Sequence, residues 1–439
     1  MTATVSTSRL TDLLRDARAR TLELVSDLDD SQLMGPKLET VNPLLWEIGH
    51  VAYFYEYFIL RQLYDRAPIL ANADEIYDSI AIPHAVRWDL PLLSRAETHR
   101  YMNDVLEALI ERLHGDEGKA EADEQDSFIY QFGAFHEDMH GEAFAWTRQA
   151  LAYPTPAFAD ARHDAAAPAQ PLGGFAEIPG GTWRLGSPRG AAFVFDNEKW
   201  AHPVTLAPFR IARTAVGNAA FAAFVDDGGY GDARWWSEPG WHWRCRAGAK
   251  HPLYWRADGP GRWSERRFDR WVPLDPACAA VHVCAHEAEA YCAWAGARLP
   301  SEAEWEAACL ALPDGGGFAD DGRRYPWGDA EPAPAHAALD GRTLGSVDVA
   351  AFSEGDSPFG CRQMIGNVWE WTATTFAPFP GFAPDAYRDY SQPLFGATRV
   401  LRGGAWTTRS HYVDGKHRNY FEPDRRDVFA GFRLCRDGG

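Results

Sequence analysis

The chain has 439 residues, 46% apolar and 24% charged, which is the balance of a soluble globular protein and more than one typical core holds, so two domains are expected. A formal net charge of −19 speaks against nucleic-acid partners and anionic membranes, both of which need a basic surface. No stretch approaches the roughly 18 apolar residues that span a bilayer, and the opening residues hold no apolar run of signal-peptide length, so a cytoplasmic protein is expected.

From residue 8 to about 152, apolar positions recur at three-and-four spacing through Leu10, Leu13, Leu14, Ala17, Thr21 and Leu24. They do so again around His50, through Tyr101, Val105, Leu106, Leu109 and Leu113, and around His140. Four such segments predict a four-helix bundle over residues 1–152. Breaks fall at Gly35-Pro36, from Ala67 to Pro91, and in the charged run from Gly115 to Asp126. Residues 153–172, rich in Ala, Pro and Asp, cannot form a core and read as a linker. Residues 173–439 change character: short strand-like runs alternate with Gly, Pro and Asp turns, and only Ala285 to Gly296 and Ser301 to Leu312 look helical. Ser301 and Glu304 are spaced as a capping box. This second domain is expected to be mixed α+β with much loop. Seven cysteines without a CxxC pair read as buried thiols with no catalytic or metal role. Most of the 18 tryptophans follow residue 180, where indoles fix long loops or line pockets.

His136 and His140 stand just over one helical turn apart, so both imidazoles leave one face, and His50 from a neighbouring helix could close a three-nitrogen metal site. The plainer reading is three histidines satisfied by hydrogen bonds in the core or at the surface. Glu137, Asp138 and Glu142 read as solvated acids or as groups that orient an imidazole N–H.

Six segments then occur in order: Gly173 to Gly186, Ala297-Arg-Leu-Pro-Ser-Glu-Ala-Glu-Trp-Glu306, Tyr325-Pro-Trp-Gly-Asp329, Ile365-Gly-Asn-Val-Trp-Glu-Trp-Thr372, Val400-Leu-Arg-Gly-Gly-Ala-Trp406 and Ala430-Gly-Phe-Arg433. Together they resemble the motif series of the formylglycine-generating-enzyme or sulfatase-modifying domain, a variant of the C-type lectin fold. The N-terminal part, with its three histidines, is similar to the DinB-like bundle. The two in one chain resemble the iron-dependent ergothioneine synthases, which join sulfur to the imidazole of hercynine. Thr408 and Val413 stand where formylglycine oxidases need copper-binding cysteines, which speaks against that chemistry.

The resemblance implies Fe(II) held by His50, His136 and His140 in the bundle, O2 as co-substrate, and a C-terminal domain that carries substrate-binding residues and a catalytic tyrosine. Zinc suits three histidines equally but offers dioxygen no redox chemistry. In the loop Asp385 to Pro393, Tyr387 corresponds to the tyrosine that supplies a proton or electron, and Tyr390 to one that helps hold hercynine. Asn419 and Tyr420 lie where the family places an Asn-Trp pair at the betaine, whose trimethylammonium is best recognised by aromatic faces. Trp371 and Trp406 read as packing residues.

Departures from the family pattern concern the second substrate. Synthases that use gamma-glutamylcysteine follow the Asn-aromatic pair with an aspartate, place arginines in the long bundle loop, and have a glutamine before the last histidine. Here these positions hold Phe421, a loop with only Arg87, and Met139; Arg425 is counted with the pocket. A buried dicarboxylate without charge partners costs several kcal/mol, so a different donor is expected. A selenosugar, as in the related selenoneine synthase, is the first expectation. A cysteine-derived or other thiol is the alternative, and a non-catalytic sugar- or peptide-binding lectin-like protein a second one. The partners are then small molecules, for a monomer or small homo-oligomer.

Overall fold

A computed structural model describes residues 4–115, 120–161, 172–320 and 322–438. Of the expected linker, 162–171 lies outside the described residues. The chain forms two compact units: Met1–Ala159 with Arg189–Val194 and Pro384–Tyr390, and Asp160–Pro188 with Phe195–Ala383 and Ser391–Gly439.

The first unit is helical. Helix α1 (Thr7–Val25) starts where the Ser6 side chain accepts the Arg9 N–H, and it buries the predicted stripe of Leu10, Leu13, Leu14, Ala17, Thr21 and Leu24. After α2 (Asp30–Met34), α3 (Leu44–Tyr55) runs on into a π-helical turn, Glu56–Arg61. A short α4 (Ala73–Tyr77) and a 3-10 turn, His84–Val86, lie within the section that the sequence reads as a break. Helix α5 (Arg95–Gly115) and the long α6 (Glu124–Ala150), capped by Asp123, complete the unit. Helices α1 and α3 each pack on both α5 and α6, so four long helices share one core. Two ion pairs tie them further: Arg18 of α1 to Glu137 of α6, and Arg148 of α6 to Asp27.

Aromatic packing places two distant segments in this unit. Phe193 stacks on Phe128 at 5.1 Å and meets Phe135 edge-on at 4.8 Å. Tyr387 meets Phe54 and Phe58 at 5.3 and 5.2 Å. The tyrosine loop, expected with the C-terminal domain, is therefore counted with the helices. Periodicity within a segment carries no information about such long-range ring contacts.

The second unit holds a four-stranded sheet in the order Asn419–Phe421, Arg399–Arg402, Trp369–Thr375, Ala430–Gly431, with the last pair parallel. An antiparallel three-stranded sheet joins Phe175–Ile178, Phe209–Ala212 and Cys435–Asp437. Helices Ala285–Trp294 and Glu302–Leu310 occur as expected, the second with its Ser301–Glu304 capping box. Asn218–Asp226 and Glu238–Ala247 are helices that the sequence reading passed over. In the latter, Pro239-Gly240 reads as a turn, yet proline is tolerated in the first helical turn because its missing N–H has no partner there anyway.

The family motifs build the frame of this unit. Arg402 pairs with Glu302 and Glu306, Arg418 with Glu302, and Arg433 with Glu370, all buried. Trp183 and Trp305, both in the core, donate their indole N–H to Glu306 and Glu370. Gly366 has φ +82°, and a Cβ there would come within 2.4 Å of the Ala338 carbonyl oxygen, so the motif requires glycine.

Candidate metal centre

Helix α3 brings His50, and α6 brings His136 and His140, to one place: one ligand atom from each lies within 4.8 Å of the others. The ring centroids are 4.6 to 5.5 Å apart. Spacing of four on α6 puts its pair on one face, and the packing of α3 on α6 adds the third ring.

Partners on the protein side fix two of the rings. The Nδ1–H of His50 donates to the Tyr77 carbonyl at 2.8 Å, and that of His140 to Glu47 Oε1 at 2.7 Å. Each of these bonds engages Nδ1 and leaves Nε2 for a cation. Nδ1 of His136 is buried with no hydrogen-bond partner in the protein. Burial first, and the neighbouring His140 second, hold His50 and His136 well below the usual histidine range. The two are neutral at pH 7 and bind a metal without first losing a proton. This donor set, three imidazoles on two packed helices with an unpartnered buried nitrogen among them, fits a divalent transition metal.

The rings are also packed. Trp46 stacks on His50 at 4.9 Å with planes 7° apart, and the Arg87 guanidinium carbon lies 4.0 Å from the Trp46 ring centroid. Phe54 stacks on His136 at 3.8 Å. Arg87 donates from Nη1 to Asn42 Oδ1 and from Nη2 to the carbonyls of Ser79 and Ile82.

Tyr387 meets His136 edge-on at 6.1 Å. Burial and the nearby Asp389 push its phenol up to about 12, so it keeps its hydrogen at neutral pH. Tyr390 donates its hydroxyl to Met139 Sδ at 3.5 Å and meets Phe132 edge-on at 5.4 Å. The first unit thus gathers the three histidines, Tyr387, Tyr390 and Met139.

Asn419, Tyr420, Phe421 and Arg425 belong to the second unit. Tyr420 stacks on Phe376 at 4.0 Å, and Asn419 Oδ1 accepts the Tyr420 N–H. Arg425 pairs with Asp427 at 2.7 Å and covers the Phe421 ring at 5.3 Å. Trp371 and Trp406 are core residues.

Two expectations need correction. Glu137 does not orient an imidazole: it pairs with Arg18. The acid that does so is Glu47, and its signal in the sequence is its place three residues before His50, on the same helical face. Six cysteines are buried as expected, but Cys245 is exposed.

Among the described residues no helix is long and apolar enough to cross a membrane. Residues 161–438 match the Sulfatase-modifying factor enzyme 1-like domain, and residues 13–144 the DinB superfamily. The chain is 40% identical to a hercynine oxygenase of Mycolicibacterium thermoresistibile, across 97% of this chain and 94% of that one. It is 40% identical to a hercynine oxygenase of Mycobacterium tuberculosis, across 97% of each. A formylglycine-generating enzyme of Streptomyces coelicolor is 33% identical across 66% of this chain and 96% of that one. With its helical histidine-bearing unit and its sulfatase-modifying unit in one polypeptide, the chain belongs to the hercynine oxygenase family of ergothioneine-synthase-like enzymes.

Proposed function

We propose that the chain is an iron- and oxygen-dependent enzyme that joins a chalcogen nucleophile to the imidazole C2 of hercynine, with His50, His136 and His140 holding Fe(II). The observation that carries this reading is the convergence of three imidazoles, two of them tied through Nδ1 to protein acceptors, in a chain similar to hercynine oxygenases over nearly its whole length. When bound, ferrous iron supplies the redox chemistry through which dioxygen accepts electrons, which zinc cannot do.

The chain's own residues take the remaining roles. Tyr387 holds a hydrogen on its phenol oxygen and is the proposed donor. Tyr390 and Met139 line the hercynine side. The Tyr420 face, with Asn419 beside it, suits a trimethylammonium, which offers no N–H and is held by aromatic rings.

For the donor we favour a selenosugar, 1-seleno-glucose. Phe421 is apolar, Arg87 is engaged by Asn42, Ser79 and Ile82, and Arg425 by Asp427, so a charged dicarboxylate thiol lacks partners here. Forming the bond removes one hydrogen from C2 and one from the chalcogen; dioxygen takes both as protons together with the electron pair and leaves as hydrogen peroxide. A thiol donor, giving a sulfoxide or thioether, is the second reading, supported by the full-length similarity to hercynine oxygenases.

The test is anaerobic reconstitution with Fe(II), followed by hercynine, a thiol and the selenosugar in competition, and air. A selenium-containing hercynine adduct by mass spectrometry is expected. A sulfur adduct alone selects the second reading. Absence of any adduct, with sugar or peptide binding that survives alanine at His50, His136 and His140, selects a lectin-like binding protein instead.

A further inference from the structure

One buried turn, Asp196–Glu198, reaches the flanks of both segments assigned above to hercynine. Asp196 Oδ1 accepts the hydroxyl of Ser391 at 2.5 Å, and Ser391 Oγ accepts an Nδ2–H of Asn197 at 3.0 Å. Ser391 directly follows Tyr390. The Asn197 carbonyl accepts an N–H of Arg418 at 2.6 Å, and Glu198 Oε1 lies 3.1 Å from His417 Nδ1. His417 and Arg418 directly precede Asn419. Ser391, His417 and Arg418 are each at most 3% exposed.

Burying three consecutive polar residues is costly unless each one is used, and apolar packing would hold a turn at lower cost. Here each residue addresses a different chain neighbour: Asp196 the root of the tyrosine segment, Glu198 the root of the Asn419–Phe421 strand, and Asn197 both. His417 is further locked among the rings of Phe195, Tyr412 and Trp369 at 5.2, 5.5 and 5.7 Å. Buried polar contacts of this kind restrict the geometry of the segments they hold.

We infer that Asp196, Asn197 and Glu198 are positioning residues that set Tyr387 and Tyr390 through Ser391, and Asn419 and Tyr420 through His417 and Arg418. The inference rests on the reading that Tyr387 is the hydrogen donor and that Tyr390, Asn419 and Tyr420 hold hercynine. None of the three touches substrate; they act through the segments that do.

The experiment uses the full chain, loaded anaerobically with Fe(II), and the variants Ser391→Ala, Ser391→Thr and His417→Gln. Amide hydrogen exchange reads each segment without reference to catalysis. Ser391→Ala is expected to speed exchange at 387–391 by about tenfold or more and to lower kcat by a similar factor, with the hercynine Kd within about threefold of the parent. Ser391→Thr restores both. His417→Gln is expected to speed exchange at 418–421 and to weaken hercynine by about tenfold or more, with the smaller effect on kcat. Unchanged exchange in either segment overturns the inference, as does an equal rise across all peptides of the second unit. If the parent protein does not bind hercynine, the functional reading fails, while the exchange data still judge the positioning claim.

Discussion

Glu47 on α3 accepts the Nδ1–H of His140 on α6 at 2.7 Å, a link between the two helices that supply the three histidines. It fixes the tautomer of His140 and raises the basicity of its free nitrogen. Glu47→Gln keeps an acceptor but removes the charge. It is expected to weaken Fe(II) binding by roughly 10- to 100-fold, measured by competition with a chelator. Unchanged affinity would remove Glu47 from the account.

Gly49 stands against Tyr77, whose carbonyl holds His50. A Cβ at position 49 would come within 2.3 Å of the Tyr77 ring, so that ring must move. Gly49→Ala is therefore expected to destabilise the protein by about 1–3 kcal/mol in urea unfolding, and to weaken metal binding because the His50 acceptor shifts with the ring.

Glu56 is fully buried, accepting hydrogen bonds from the Tyr101 hydroxyl and the Ile69 N–H, and burial raises its carboxyl above the usual range. A carboxyl raised in the folded state binds its proton more tightly there than in the unfolded chain. Its contribution to stability is then fully present below the unfolded value of 4.5 and lost as pH rises through the folded value. Relative to Glu56→Gln, which does not titrate, the parent should gain stability as pH falls from neutrality through that window. A difference in unfolding free energy that is flat with pH would contradict this.

Glu306 is a fully buried acid paired with Arg402 and hydrogen-bonded by Trp183. Glu306→Ala leaves a buried guanidinium with less compensation, and a loss of about 3–5 kcal/mol is expected in chemical unfolding. A loss below about 1 kcal/mol, the size of an exposed pair, would show that the pair is not shielded from water as the structure has it.

How much of this was legible in the sequence depends on the range of each interaction. His136 and His140 share a face by helical spacing alone, and His50 sits on an apolar helix. Glu137, one residue from His136, points about 100° away from it and so reaches Arg18 on α1, whereas Glu47, at three residues from His50, lies on the histidine's own face. The contact of Tyr390 with Met139 joins residues 251 apart, and the Asp196–Glu198 turn meets partners about as distant. No local period encodes such pairings. The helix Glu238–Ala247 was missed because Pro-Gly at its start signals a turn and a helical first turn equally well.

The central claim is that the three histidines form one iron site. The direct measurement is the Fe(II) bound per chain after anaerobic reconstitution, for the parent and for alanine variants of His50, His136 and His140, with circular dichroism to establish that each variant is folded. The account predicts one iron per parent chain and its loss in each folded variant. Iron retained at full stoichiometry when His136 and His140 are both alanine would contradict it.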